Sequence, residues 1–438
     1  MKHKLKDLKT EFTEYLQGGA KKRAEQRVGV EIELFGYNAA TRQRLDNLEV
    51  QAVLRQLSVA TDDLVFEDEA LVEVRKPTGG KWTIEPGGQI EFSTAPRAGL
   101  HEIKRDLETA LTDLRRVGKD LDLTFLALGF DPLCTLDEQN WFLKPRYKAM
   151  KPYLQTRGRK AWDMMTRTAS VQINLDYENE RDLIKKFVVG NRLAPVMAAI
   201  FANSPFADGK ISNLQSTRVA AWLETDLSRC GVSPLALKKE FSLPDFIEYA
   251  LDVPMLFSQQ RSKNGGSEYV SDFTGKPFRE FLTSALSAPT IADWQIHLTT
   301  IFTEVRLKNY LEFRAADAGS LPHTLAVAAL WKGLLYDEKS LTEAFAIAPQ
   351  LTATEFITLQ QTVARDGLRT VSNGINVLDL AKEIVQIAFE GLERGAPEET
   401  EFLKELRERI LNQEKSPADL LLENWENSFE KVFETTAI

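Results

Sequence analysis

Four stretches of the chain place polar side chains at every second position, with apolar residues between them. In 27–37, RVGVEIELFGY, Glu31 and Glu33 alternate with Ile32 and Leu34, and in 85–93, EPGGQIEFS, Gln89, Glu91 and Ser93 alternate with Ile90 and Phe92. In 168–177, TASVQINLDY, Gln172, Asn174 and Asp176 alternate with Val171, Ile173 and Leu175; in 310–317, YLEFRAAD, Glu312 and Arg314 alternate with Leu311 and Phe313. A period of two is the signature of a strand with one apolar and one polar face.

Further strand-like runs fall at 81–84 and 121–129, and amphipathic helical patterns at 99–117 and 180–201. After about residue 320 the pattern is almost entirely helical, over 321–336, 353–363, 377–392, 398–411 and 418–433. Pro397 before Glu398 and Glu399, and Ser416 before Pro417, read as helix starts. Strands followed by a run of helices predict an α+β fold with a mostly antiparallel sheet, not a wound α/β fold. No repeat, low-complexity segment or Pro/Gly/Ser linker divides the 438 residues. The expectation is one catalytic unit over 1–438, with a mixed sheet and helix core at 20–320 and a helical part at 321–438.

Composition excludes several classes. The net charge of −9 argues against nonspecific binding to nucleic acid or an anionic membrane, although a local basic pocket stays open. Two cysteines, Cys134 and Cys230, cannot make a disulfide scaffold, so a reducing compartment is expected. The first residues lack the apolar core of a signal peptide. The most membrane-like run, 187–206, is broken by Asn191, Arg192 and Asn203. A cytoplasmic, soluble protein is expected. Neither GxxxxGK[ST] nor GxGxxG occurs, the four histidines (His3, His101, His297, His323) have no zinc spacing, and no nucleophile elbow is present.

Each alternating stretch, taken singly, is most simply a half-buried strand with a solvated face. As a set they say more. Carboxylates are depleted in strands, and on adjacent strands they repel unless cations sit between them. Oxygen-rich clusters hold hard cations such as magnesium, often together with substrate phosphates. Arg314, beside Glu312, supplies what a phosphate or carboxylate substrate requires. A magnesium–nucleotide site on one sheet face is the favoured reading.

The segments GVEIELF, EPGGQIEFS, RYKAMKPYL, DMMTRTASVQINLDY, FANSPF, ALDVPM, HLTTIFTEVRLKNYLEFRAAD and GLLYDE, in that order, resemble glutamate–cysteine ligases of the plant and proteobacterial type. The resemblance runs from about residue 28 to 393. It implies a glutamine-synthetase-like catalytic fold, a curved antiparallel sheet with the active site on its concave face and helices outside. It also implies ATP- and magnesium-dependent formation of γ-glutamylcysteine, the first step of glutathione synthesis, by a monomer or homodimer acting on glutamate, cysteine and ATP. By motif, Glu31, Glu33, Glu85, Glu91 and Glu312 match the acidic metal cage, and Gln172 a further metal-binding position. Arg314 matches the arginine that meets the transferred phosphoryl group, and Arg218 resembles the one that pairs with the glutamate α-carboxylate. Tyr147, Met165 and Asn174 are the softer substrate-pocket candidates.

There are departures. Thr303 replaces a usual proline, and two cysteines cannot supply the two regulatory bridges of plant members. Glu304 and Arg306 alternate like a strand pair and either reach nucleotide phosphates or form a structural ion pair. His297 reads as a hydrogen-bonded structural histidine before a substrate-positioning one; Trp222, Trp294 and Trp331 read as core. Two alternatives stand beside the ligase: a γ-glutamyl ligase with another amine acceptor, and a noncatalytic nucleotide-binding relative. The complete set of five glutamates with Arg314 argues against the latter.

Overall fold

The computed structural model describes residues 2–67, 69–142, 144–261, 267–270, 272–284 and 289–438. Its centre is a nine-stranded sheet. In chain order the strands are β1 (Val28–Asn38), β2 (Asp63–Glu67), β3 (Ala70–Arg75), β4 (Lys81–Ile84), β5 (Ile90–Ser93), β6 (Leu123–Leu126), β7 (Ser170–Leu175), β8 (Val305–Leu307) and β9 (Leu311–Asp317). They are ordered β8-β9-β7-β1-β5-β4-β3-β2, with β6 beside the far end of β1, and every pairing is antiparallel. The four alternating stretches thus become β1, β5, β7 and β9, and all four are consecutive neighbours in the order β9-β7-β1-β5.

The apolar set of each strand faces helices. Val30, Ile32, Val171, Ile173, Leu311 and Phe313 are all buried in one hydrophobic core that includes residues from Leu8 to Ile410. The helix Glu180–Ile200 lies close on β8 and β9 because Gly190 has no side chain there. A Cβ at Gly190 would sit 2.5 Å from the Phe313 ring and 2.6 Å from Val305. Phe313 also packs on Trp331 of the helix Leu321–Leu335, with ring centroids 4.5 Å apart. Behind that helix, Val377–Gly395 crosses at two glycines: a Cβ on Gly333 would lie 2.2 Å from the Ala388 carbonyl oxygen, and one on Gly391 2.1 Å from that of Gly333. Large side chains buried in such a core contribute about 1.5–3 kcal/mol each, so this side of the sheet carries most of the stability.

Several boundaries differ from the sequence expectation. The hairpin β2–β3 has no counterpart in it, because β2 is an edge strand whose Leu64 and Phe66 are exposed and whose alternation is blurred. The stretch 398–411 is a 3₁₀ segment (Pro397–Leu403), a short α-helix (Lys404–Glu408) and a π-turn (Arg409–Gln413) in succession. The stretch 418–433 is two helices, Pro417–Glu423 and Phe429–Thr436, interrupted where Asn427 takes φ +58° and Ser428 caps the second. The start at Ser416 is a reciprocal capping box with Asp419. Among the described residues no helix is long and apolar enough to cross a membrane.

Candidate active site

One cavity of about 470 Å³ touches β1, β2, β3, β4, β5, β7, β8 and β9. Eight flat strands would span about 34 Å at their usual spacing, so the sheet curls around this space and its polar face is concave. Six carboxylates (Glu31, Glu33, Glu67, Glu73, Glu85, Glu91) and eight cations (Arg75, Lys81, Lys144, Arg146, Arg218, Arg306, Lys308, Arg314) line it. A chain of net charge −9 therefore has a cavity with an excess of positive groups.

The acids are brought together by strand register. Glu33 on β1 stands directly opposite Glu91 on β5, and Glu31 stands opposite Gln172 on β7. Like charges in that relation are destabilising, and the carboxyls respond. Burial, reinforced by Glu91 and Glu85, pushes Glu33 up to about 8; burial, Glu312 and Glu91 push Glu31 up to about 7. Burial and Glu85 also raise Glu91. Neighbouring donors hold each acid in place. The Ser170 N–H (2.6 Å) and Gln172 Nε2 (2.9 Å) donate to Glu33, Asn174 Nδ2 (2.7 Å) to Glu31, and Thr83 Oγ1 (2.8 Å) to Glu91. Glu85, in the turn after β4, has the Tyr147 hydroxyl 3.4 Å away, and that hydroxyl accepts from Arg146 at 2.7 Å.

Glu312 lives differently. It is fully buried on β9, opposite Arg306 on β8, and takes hydrogen bonds or ion pairs from Arg306 (Nε, 3.1 Å), Lys308 (2.8 Å) and Arg314. Burial alone would raise its carboxyl, but these three cations overcome that and hold it well below the usual range. Arg314 also donates to Gln172 Oε1 at 2.8 Å.

Arg218, on the short helix Thr217–Leu223, reaches the cavity wall next to Arg314. Its Nη2 donates to the Arg314 carbonyl at 2.5 Å, its Nη1 lies 3.7 Å from Asp317, and among the described residues its Nε has no partner. Met165 lines the cavity and offers its carbonyl to Gln89 at 3.3 Å. Asn174 is in contact with the acids through Glu31 but is not part of the cavity lining. Asp176 points elsewhere, held by Lys21 and the Arg27 N–H, each at 2.7 Å.

Glu304 and Arg306 do not pair with each other. Arg306 takes Glu312, whereas Glu304 accepts from Gln360 at 2.7 Å and lines a small side pocket shared with Arg218 and Arg314. His297 is buried, donates from Nε2 to the Ala250 carbonyl at 2.8 Å and stacks on Phe278, so it has the structural role. Trp294 and Trp331 are core, but Trp222 is not: it lines the cavity with the Arg314 guanidinium 5.7 Å over its ring. It lies four residues after Arg218, on the same helix face.

Sequence reasoning missed Lys81, Thr83, Lys144, Arg146 and Lys308. Lys308 was within reach of it, since pairing VRL with LEF as a hairpin places Arg306 and Lys308 around Glu312. Lys144 is buried, and burial with Arg146 pushes its amine down to about 8. Both thiols are unpaired, and burial raises Cys134 to about 11 and Cys230 to about 12.

Among the described residues no three Asp, Glu, His or Cys side chains already close around a point suited to a metal ion. The donor chemistry nevertheless suits a hard cation. Glu31, Glu33, Glu85, Glu91 and Gln172 offer oxygens alone, and the raised carboxyls of Glu31, Glu33 and Glu91 mark where positive charge would relieve repulsion.

An open antiparallel sheet with helices outside and a charge-dense concave face defines a glutamine-synthetase-like catalytic fold. The chain belongs to glutamate–cysteine ligase family 2, whose sequence model matches residues 27–435. Chloroplastic glutamate–cysteine ligase A of Oryza sativa subsp. indica is 37% identical over 438 residues, spanning 97% of this chain and 87% of the relative. The chloroplastic enzymes of Nicotiana tabacum (37%, spanning 97% and 82%) and Arabidopsis thaliana (35%, spanning 96% and 81%) are similar to it as well. A solved glutamate–cysteine ligase of Francisella tularensis in complex with AMP superposes with a TM-score of 0.56 over 94% of this chain and 87% of that one. At 13% identity that likeness bears on the fold alone.

Proposed function

We propose that the protein joins the side-chain carboxylate of glutamate to the amine of cysteine at the expense of ATP, through a γ-glutamyl phosphate, giving γ-glutamylcysteine for glutathione synthesis. Family membership supports the reaction class. The observation that carries the site is the cross-strand opposition of Glu33 and Glu91 in a cavity otherwise rich in arginine and lysine. Such a surface suits a polyanion accompanied by a hard cation.

Glu31, Glu33, Glu85, Glu91, Gln172 and Glu312 would hold magnesium, which when bound neutralises phosphate charge. Arg306, Lys308 and Arg314 have Glu312 as their shared anion in this structure. Nucleotide phosphates would compete for these cations and free Glu312 for the cage. Arg314, with Gln172 fixing it and Trp222 beneath it, is placed to meet the phosphoryl group as charge spreads over its oxygens. Arg218 would take the glutamate α-carboxylate, and Tyr147 and Met165 would border the amino-acid pockets. Glu304 would orient Arg218 and Arg314 from the side pocket. Glutamate's carboxylate oxygen attacks the terminal phosphorus, ADP departs, the amine attacks the acyl carbon, and phosphate leaves with that oxygen. No protein nucleophile is needed, and positioning and electrostatics do the work.

The continuous core supports a single catalytic unit over 1–438, working as a monomer or homodimer in a reducing compartment such as the cytoplasm. The test is ADP release with ATP, magnesium and glutamate, comparing cysteine, 2-aminobutyrate and other amines. Cysteine should give the highest kcat/KM; preference for another amine would reassign the acceptor.

A further inference from the structure

A second cavity, of about 650 Å³, shares no lining residue with the first. It lies between the helix Leu100–Leu121, the start of the helix Leu321–Leu335 and the C-terminal segments from Glu401 to Thr436. Its size is within the range of about 300–1,000 Å³ common to small-molecule sites. Much of the wall is apolar, through Leu325, Phe402, Leu406, Leu420 and Leu421.

One group is out of keeping with that wall. Arg409 is 9% exposed and begins the π-turn Arg409–Gln413. Its Nη1 donates to the carbonyls of Ile200 (3.4 Å) and Lys415 (3.0 Å). Among the described residues its Nε and Nη2 make no hydrogen bond and it forms no ion pair, the carboxylates of Glu405 and Asp419 acting on its charge only from farther off. Buried charges are ordinarily paired, because desolvating them is costly. A second feature of the same wall has the same sign. Leu321, Pro322 and His323 open a 15-residue helix whose N-cap, Ser320, provides no side-chain hydrogen bond. That leaves the positive end of the helix without its usual capping oxygen. Glu108, Glu401 and Glu405 on the rim disfavour a multiply charged anion, while Lys104 offsets one of them.

We propose that this cavity binds a small organic monocarboxylate with an apolar tail, its carboxylate on Arg409 and the start of the Leu321–Leu335 helix and its tail along Leu325, Leu406 and Leu421. The site is wired to the first cavity. His323 donates from Nε2 to the Asp317 carbonyl at 3.0 Å, and the Asn203 N–H donates to the Asp317 carboxylate at 2.8 Å. Both His323 and Asn203 line the second cavity, and Asp317 lies 3.7 Å from Arg218. Occupancy therefore alters the apparent affinity for glutamate, a consequence that rests on placing Arg218 at the substrate, whereas the binding itself does not.

The probe is octanoate, titrated calorimetrically into the full chain. One equivalent should bind, 1-octanol at least 10-fold more weakly, and Arg409→Met should weaken octanoate at least 10-fold. Glu33→Gln and saturating ATP with glutamate should leave octanoate binding intact. Arg409 also ties two backbone carbonyls, so a photoreactive diazirine analogue of octanoate on the unaltered protein gives an independent location, with adducts expected on Leu325, Leu406 or Leu421. No binding, equal affinity for octanol, displacement by ATP, or adducts on β1 and β7 would overturn the site. Binding with an unchanged KM for glutamate would overturn the coupling.

Discussion

The strand β9 has two sides that obey opposite rules. On one, Arg314 lines the charged cavity and pairs with Glu312 buried beside it; on the other, Leu311 and Phe313 enter the core against Gly190 and Trp331. The front sets like charges against each other, with Glu33 opposite Glu91 and both carboxyls raised, whereas the back is packed without opposed charge. Residue parity along a strand thus decides whether a substitution is felt in turnover or in stability alone.

The largest effects should come from the front. Glu91→Gln keeps shape but removes the charge opposed to Glu33, so turnover should fall at least about 1,000-fold while melting temperature holds or rises in the absence of ligands. Glu312→Gln should abolish turnover too, but also destabilise by about 1–3 kcal/mol, because it removes the shared anion of three half-buried cations. Near-normal turnover of either variant at saturating magnesium would break the assignment of the front face.

Arg218→Lys should raise the KM for glutamate about 10- to 100-fold, far more than that for ATP. A lysine loses the planar fork, worth roughly 1.5–3 kcal/mol for a charged hydrogen bond. An unchanged KM for glutamate would move Arg218 from substrate contact to scaffolding, consistent with its bond to the Arg314 carbonyl.

The back face should behave in reverse. Gly333→Val drives a Cβ toward the Ala388 carbonyl and should cost about 3 kcal/mol by denaturant unfolding, with both KM values unchanged. A large KM change without loss of stability would erase the contrast between the faces.

A smaller effect separates structural from catalytic histidine. Burial, with Arg229, lowers His297 to about 3 in the folded protein, below its ordinary 6.5 when unfolded. Its contribution to stability is therefore full above pH 6.5 and is lost as pH falls toward 3. His297→Gln, which can still donate to Ala250, should flatten the acid limb of the stability curve and leave kcat near neutral pH unchanged.

The front acids of β1, β5, β7 and β9 were legible because period two is a local property, and Glu31, Glu33, Glu91 and Gln172 needed only the correct strand neighbours. Residues whose place depends on distant register were not. The bulge between Phe313 and Ala316 shifts parity along β9, so that Asp317 pairs with Ser170 on the polar side and comes within reach of Arg218. Nothing in AAD announces this. Lys144 and Arg146 enter from a helix and the turn before it, where a single cation has no periodicity to betray it. Trp222 looked like core because its neighbours are apolar, yet its spacing from Arg218 turns it to the cavity.

The central claim, that the charged face transfers a phosphoryl group to the glutamate side chain, is tested most directly by isotope transfer. With ¹⁸O in the γ-carboxylate of glutamate, one labelled oxygen should appear in inorganic phosphate for each peptide bond formed. Label recovered in AMP, or absent from phosphate during net peptide synthesis, would contradict the account.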